Sequence, residues 1–65
     1  MKIVINGETH DVQSQTLEEV LIALGYRDAK VATAVNEEFF PTSLRATVLI
    51  KEGDRIEIVA PRQGG

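Results

Sequence analysis

Apolar residues fall along this chain in two rhythms. Lys2-Ile3-Val4-Ile5 is rich in β-branched side chains, and Asn6-Gly7 follows it. Asn-Gly after such a run signals a two-residue hairpin turn, because both turn positions must tolerate positive φ. Residues 8–12 then read as the returning strand. From Leu17 the rhythm changes. Leu17, Val20, Leu21 and Leu24 recur at i, i+3, i+4 and i+7, which is one helical face. Thr16 and Glu19 match a capping box: the Thr16 hydroxyl accepts from the Glu19 N–H, and the Glu19 carboxylate reaches back. Gly25 stands where a left-handed glycine commonly closes a helix. The pattern predicts a helix of about nine residues.

The second half returns to strand-like runs. Residues 31–35 read as a third strand and Asn36-Glu37-Glu38 as a turn. Phe39-Phe40 begins a short return that Pro41 ends by removing a ladder donor. Residues 42–47 are irregular, with room for one short helical turn. Val48-Leu49-Ile50 leads into the turn Lys51-Glu52-Gly53-Asp54, and residues 55–59 form the final strand. One helix covers one face of a small sheet, so its apolar stripe must meet Ile3, Ile5, Val35, Ile56 and Ile58. Strand alternation then turns Val4, Ala32, Ala34, Glu57 and Val59 outward. Val4, Ala32, Ala34 and Val59 make a flat, weakly polar surface, a candidate partner face. The first and last strands are expected to lie adjacent and parallel. The predicted fold is α+β, the ubiquitin-like β-grasp: a mixed sheet of four to five strands with one main helix packed on one face. The expected organisation is a domain over residues 1–59 and a flexible tail over 60–65.

Composition narrows what such a domain can do. The chain has 65 residues. A domain of this size buries only about 60% of its unfolded surface, so a deep catalytic pocket and a core cannot both be built. An independent enzyme is therefore not expected. Hydrophobic residues at 43% and charged residues at 26% describe an ordinary globular chain. There are no cysteines, which removes disulfide and thiolate chemistry. The net charge is −3 and the basic residues are scattered, unlike the basic stripe that phosphate binding requires. Neither nucleic acid nor a membrane is an expected partner, and the cytoplasm is the expected compartment. His10 stands alone, without the neighbouring His or Cys of a metal site. Glu18 and Glu19 point about 100° apart on a helix and cannot act as a carboxylate pair. The glycines at 7, 25 and 53 are turn glycines rather than a phosphate loop.

Candidate chemistry is concentrated in the last six residues, Ala60-Pro61-Arg62-Gln63-Gly64-Gly65. A terminal Gly-Gly carboxylate is itself a candidate reactive group. Glycine lacks a Cβ, so Gly64 and Gly65 allow close backbone approach by a partner. Pro61 fixes φ and favours an extended path. Six residues at about 3.3 Å each reach roughly 20 Å. Arg62 can add a charge contact to a partner or to phosphate.

With these features the chain resembles the ThiS family of sulfur carriers in thiamine thiazole biosynthesis. The resemblance rests on Ile3-Val4-Ile5-Asn6-Gly7, Thr16-Leu17-Glu18-Glu19-Val20-Leu21, and Ala32-Thr33-Ala34-Val35-Asn36 ending at Pro41. It continues through Glu52-Gly53-Asp54-Arg55-Ile56-Glu57-Ile58-Val59 and Gln63-Gly64-Gly65. It covers essentially the whole length, and the Gly-Asp-x-Ile turn-strand followed by Gly-Gly is its most specific part. Two positions within the domain depart from the pattern: Thr42 stands where relatives often carry Arg, and Arg45 where they often carry an aromatic; in the tail, Arg62-Gln63 precedes the glycines where others have apolar residues or a third glycine.

The resemblance implies that Gly65 is adenylated and then converted to a thiocarboxylate, with Gly64, Gln63 and Arg62 read by the partner. The implied partners are a ubiquitin-activating-like, ThiF-type adenylating enzyme that uses ATP and magnesium, a persulfide sulfur donor, and a ThiG-type thiazole synthase. The carrier itself holds no cofactor or metal and is not the catalyst. Three alternatives stay open on the residues: the small subunit of molybdopterin synthase, a non-covalent β-grasp interaction module, and a protein-conjugating modifier.

Overall fold

The computed structural model describes residues 1–26 and 30–60. Its strands are β1 (Lys2–Ile5), β2 (Glu8–Asp11), β3 (Ala32–Val35), β4 (Glu38–Phe40) and β5 (Arg55–Val59). They form one sheet in the order β2-β1-β5-β3-β4. β1 and β5 run parallel, with Val4 opposite Arg55 and Ile5 opposite Ile56. The other pairs are antiparallel. The expected order of hairpin, helix, short hairpin and strand is present, and so is the parallel pairing of the first and last strands.

One helix, α1 (Leu17–Ala23), crosses the inner face. Its start is the capping box read from the sequence: Thr16 Oγ1 accepts from the Glu19 N–H at 3.1 Å, and Glu19 Oε1 accepts from the Thr16 N–H. Its end is a Schellman turn. Tyr26 N–H donates to the Leu21 carbonyl and Gly25 N–H to the Ile22 carbonyl, with Gly25 at φ +91°. That turn has Gly25 where the sequence places it, and the helix ahead of it is seven residues long rather than about nine. Leu24 is therefore the C-cap and not part of the buried stripe: it is exposed, a correction to its expected inward place. Leu17, Val20 and Leu21 carry the packing instead.

The core joins these three to Ile3, Ile5, Val35, Ile50, Ile56 and Ile58. Every sheet residue expected to face the helix does so. Full burial of one such aliphatic side chain is worth about 1.5–3 kcal/mol, so this set is the main stabilising term. Residues 42–47 form a 3-10 segment (Thr42–Thr47) that opens after Pro41. Leu49 makes an isolated bridge to Thr16, and this ties the connection to the helix start.

Two asparagines secure β5 from opposite sides. On the β1 side, Asn6 Oδ1 accepts from the Ile58 N–H at 2.8 Å, and Asn6 Nδ2 donates to the Ile58 carbonyl at 3.1 Å. The amide thus continues the ladder past the end of β1. On the β3 side, Asn36 Oδ1 accepts from the Arg55 N–H, and Asn36 Nδ2 donates to Asp54 Oδ1, both at 3.0 Å. Asp54 is buried, and its other oxygen accepts from the Lys51 N–H at 2.8 Å. Gly53, at φ +85°, supplies the reversal that lets Asp54 close this turn. The Gly-Asp pair of the sequence is thus the joint that sets β5 in the sheet.

Candidate functional site

The site expected from sequence has two parts, a tail and a sheet face. Gly65, Gly64, Gln63, Arg62 and Pro61 lie outside the described residues. The tail's origin is described: Val59, the last residue of β5, pairs with Ala32 of β3. β5 is the central strand, clamped by β1, β3, Asn6 and Asn36. The tail therefore starts from the strand at the centre of the sheet.

The outer face is set by strand alternation. In β5, Ile56 and Ile58 are buried while Arg55, Glu57 and Val59 are exposed. Across β3, Ala32 is exposed and Ala34 half-buried. Ala32 lies opposite Val59, and Ala34 lies between Glu57 on one side and Phe39 of β4 on the other. Val59 and Phe39 are each 62% exposed, values that mark both side chains as free of the domain's own core. Ala32, Ala34 and Val59 thus come together as expected, and Phe39 joins them. Val4 shares the face but sits beside Arg55, at the far end of β5 from the tail. The cluster of apolar contact surface is Phe39, Ala34, Ala32 and Val59, with Glu57 at its border.

Sequence reasoning missed Phe39 as a face residue. The signal was available: of two adjacent strand residues one must point out, and Phe40 pairs with the buried Thr33. A short β4 ending at Pro41 hid that alternation.

The inner side holds the other unforeseen group. Arg45, on the 3-10 segment, is only 8% exposed, so its charge is removed from bulk water. Its Nε donates to Thr33 Oγ1 at 3.2 Å, and Nη2 donates to the Val31 carbonyl. Thr33 Oγ1 in turn donates to the Phe40 carbonyl at 2.9 Å. Among the described residues no carboxylate pairs with this guanidinium. Arg45 and Thr42 also line a shallow cleft with Glu18, Leu21, Ile22 and Tyr26. The two departures from the family pattern within the domain thus meet beside the helix and not on the outer face.

Other candidates add little chemistry. His10 Nε2 lies 3.8 Å from Glu8 Oε1 at the surface of β2. Among the described residues no group of three or more His, Asp or Glu side chains is placed to hold a metal ion. No described helix is long and apolar enough to cross a membrane.

A mixed five-stranded sheet with a parallel central pair and one helix across its inner face defines a β-grasp domain. Residues 3–65 match the ThiS family, and the chain belongs to that family. It is 38% identical over 61 residues to the sulfur carrier protein ThiS of Thermus thermophilus, which covers 94% of this chain and 95% of that protein. It is 46% identical over 66 residues to a thiazole synthase of Paramagnetospirillum magneticum and 38% identical to one of Magnetococcus marinus. The chain spans 20% of the length of each of these synthases. The crystal structure of a thiamine biosynthesis protein (ThiS) from Geobacter metallireducens superposes with a TM-score of 0.81 at 28% identity, covering all of both chains.

Proposed function

We propose that this chain is a sulfur carrier for thiamine thiazole formation, acted on by partner enzymes at the Gly65 carboxylate. The observation that carries the reading is its family membership, together with near end-to-end similarity to a sulfur carrier protein. The similarity to a fifth of two thiazole synthases supports a thiazole synthase as the sulfur acceptor.

A carboxylate is a poor acyl donor, so the terminus must first acquire a leaving group. Attack of the Gly65 carboxylate on the α-phosphate of ATP, with magnesium held by the activating enzyme, releases pyrophosphate and leaves an acyl-adenylate. The terminal sulfur of a persulfide then attacks the carbonyl and AMP departs. A thiolate then attacks the donor's sulfur in the resulting acyl disulfide, forms a new disulfide with it, and expels the thiocarboxylate. The domain's own contribution is positional. It supplies a tail from a fixed strand, a Gly-Gly end that admits close approach, and an outer face for docking. Holding the reacting groups in near-attack geometry removes entropy from the barrier.

The decisive measurement is intact-mass spectrometry after incubation with a ThiF-type adenylating enzyme, ATP, magnesium and a persulfide source. The expected product carries one sulfur in place of one terminal oxygen. An unmodified chain under these conditions would overturn the reading, and attachment to whole target proteins would indicate a modifier. Loss of Gly65 is expected to abolish the exchange while the fold survives. Ala34→Arg places a long charged chain between Phe39 and Glu57 and is expected to weaken binding to the adenylating enzyme with little change in stability. Unfolding of that variant would show that Ala34 does not belong to a docking face.

A further inference from the structure

Arg45 sits at a break in the sheet's edge. β4 pairs with β3 only from Val35 to Thr33, and Pro41 then turns the chain away into the 3-10 segment. Ala32, the first residue of β3, and Val31 just before it are left without a paired strand on that side. Arg45 returns from the 3-10 segment to fill the gap: one nitrogen reaches the Val31 carbonyl and another the Thr33 hydroxyl. On its other side the same stretch of β3 holds the end of β5 through the pair Ala32 and Val59. That is the last described pairing before the tail.

We propose that Arg45 is a positioning residue that fixes the point at which the tail leaves the domain, an inference that rests on the carrier reading above. A guanidinium suits this role because its planar donors are held in a rigid fork and satisfy two acceptors at once. Its burial also strengthens both bonds, since little water competes for them. With the latch removed, β3 frays from Ala32, the Ala32–Val59 pair opens, and the last paired residue of β5 moves back from Val59. Each residue released from β5 adds about 3.3 Å between the last paired residue and Gly65, so the sheet places Gly65 less closely for an activating enzyme. The cost falls on capture of the tail rather than on the chemical step.

The test compares the full chain with Arg45→Met, which keeps the length of the stem and removes the donors, and with Arg45→Lys, which keeps one donor group. In Arg45→Met, protection of the Ala32 and Val59 amides from hydrogen exchange is expected to fall about tenfold, the loss of one charge-assisted hydrogen bond. Protection at Ile3 and Ile5 stays unchanged. In the adenylation assay KM for the carrier rises about threefold to tenfold while kcat stays within about twofold. Arg45→Lys recovers part of both effects. Unchanged exchange at Ala32 and Val59, or an equal loss through β1, overturns the latch. Normal KM with those amides loosened overturns its role in presenting the tail. A wild-type chain that is never adenylated removes the carrier reading, and exchange at Val59 then still decides whether Arg45 holds this end of the sheet.

Discussion

The two hairpins of this sheet solve one geometric problem with different residues. The turn between β1 and β2 uses Asn6 at φ +50° and Gly7 at φ +85°; the turn between β3 and β4 uses Asn36 at φ +51° and Glu37 at φ +72°. Both need two consecutive left-handed residues, the geometry whose twist matches paired strands. In both the first position is asparagine, and in both its side chain reaches β5. Asparagine tolerates the left-handed region and carries an amide that mimics a peptide group. One residue type thus shapes the turn and clamps the neighbouring strand. The second positions differ. Gly7 adopts its conformation without a Cβ penalty, whereas Glu37 carries a strain of roughly 1–2 kcal/mol. The first hairpin is locally self-consistent; the second is held open partly by what Asn36 grips.

That contrast can be broken at four places. Asn36→Ala is expected to cost most, about 2–3 kcal/mol. It removes an acceptor from Arg55 and a donor from the buried Asp54 carboxylate, and a charged group left short of partners carries the larger penalty. Urea unfolding measures it, and a loss smaller than that of the Asn6 variant would reverse the ranking. Asn6→Ala is expected to cost about 1–2 kcal/mol, with faster exchange of the Ile58 amide as its local signature. Gly7→Ala should lose about 1 kcal/mol. No atom lies within 4 Å of the added Cβ, so that loss isolates the backbone conformation. Glu37→Gly is the smallest and has the opposite sign. Relief of strain, offset by the greater freedom of glycine in the unfolded chain, leaves a gain of about 0.5 kcal/mol. A thermal midpoint lowered by this change would show that Glu37 makes a contact worth more than its strain.

The same contrast explains what the sequence displayed and what it hid. Asn6-Gly7, the Thr16–Glu19 box and Gly25 were legible because each is a local device completed within a few residues. The inward Ile56 and Ile58 and the outward Val59 were legible from alternation alone. Glu37 was not, because glutamate gives no sign of positive φ; the neighbouring asparagine was the only hint, and the turn was drawn one residue too long. Arg45 was not legible either. Its partners lie 12 and 14 positions away, and one of them is a main-chain carbonyl, which every residue possesses. The outer face was readable except at Phe39, where a three-residue strand gave too little pattern to assign a side. The tail's residues were the plainest chemical signal, and the described fold gives them a defined origin at Val59.

The placement of β5 also has a consequence in time. Asn6 and Ile58, 52 positions apart, meet across the sheet. Non-local pairings close large loops before they are rewarded, and they slow folding for that reason. A chain emerging from the ribosome can assemble its first hairpin and helix early, but the central gap between β1 and β3 stays empty until the final strand is synthesised. The sheet is completed by the same segment that bears the tail. The sheet therefore stays incomplete until β5 has been made, and a chain that stops before Arg55 lacks its central strand.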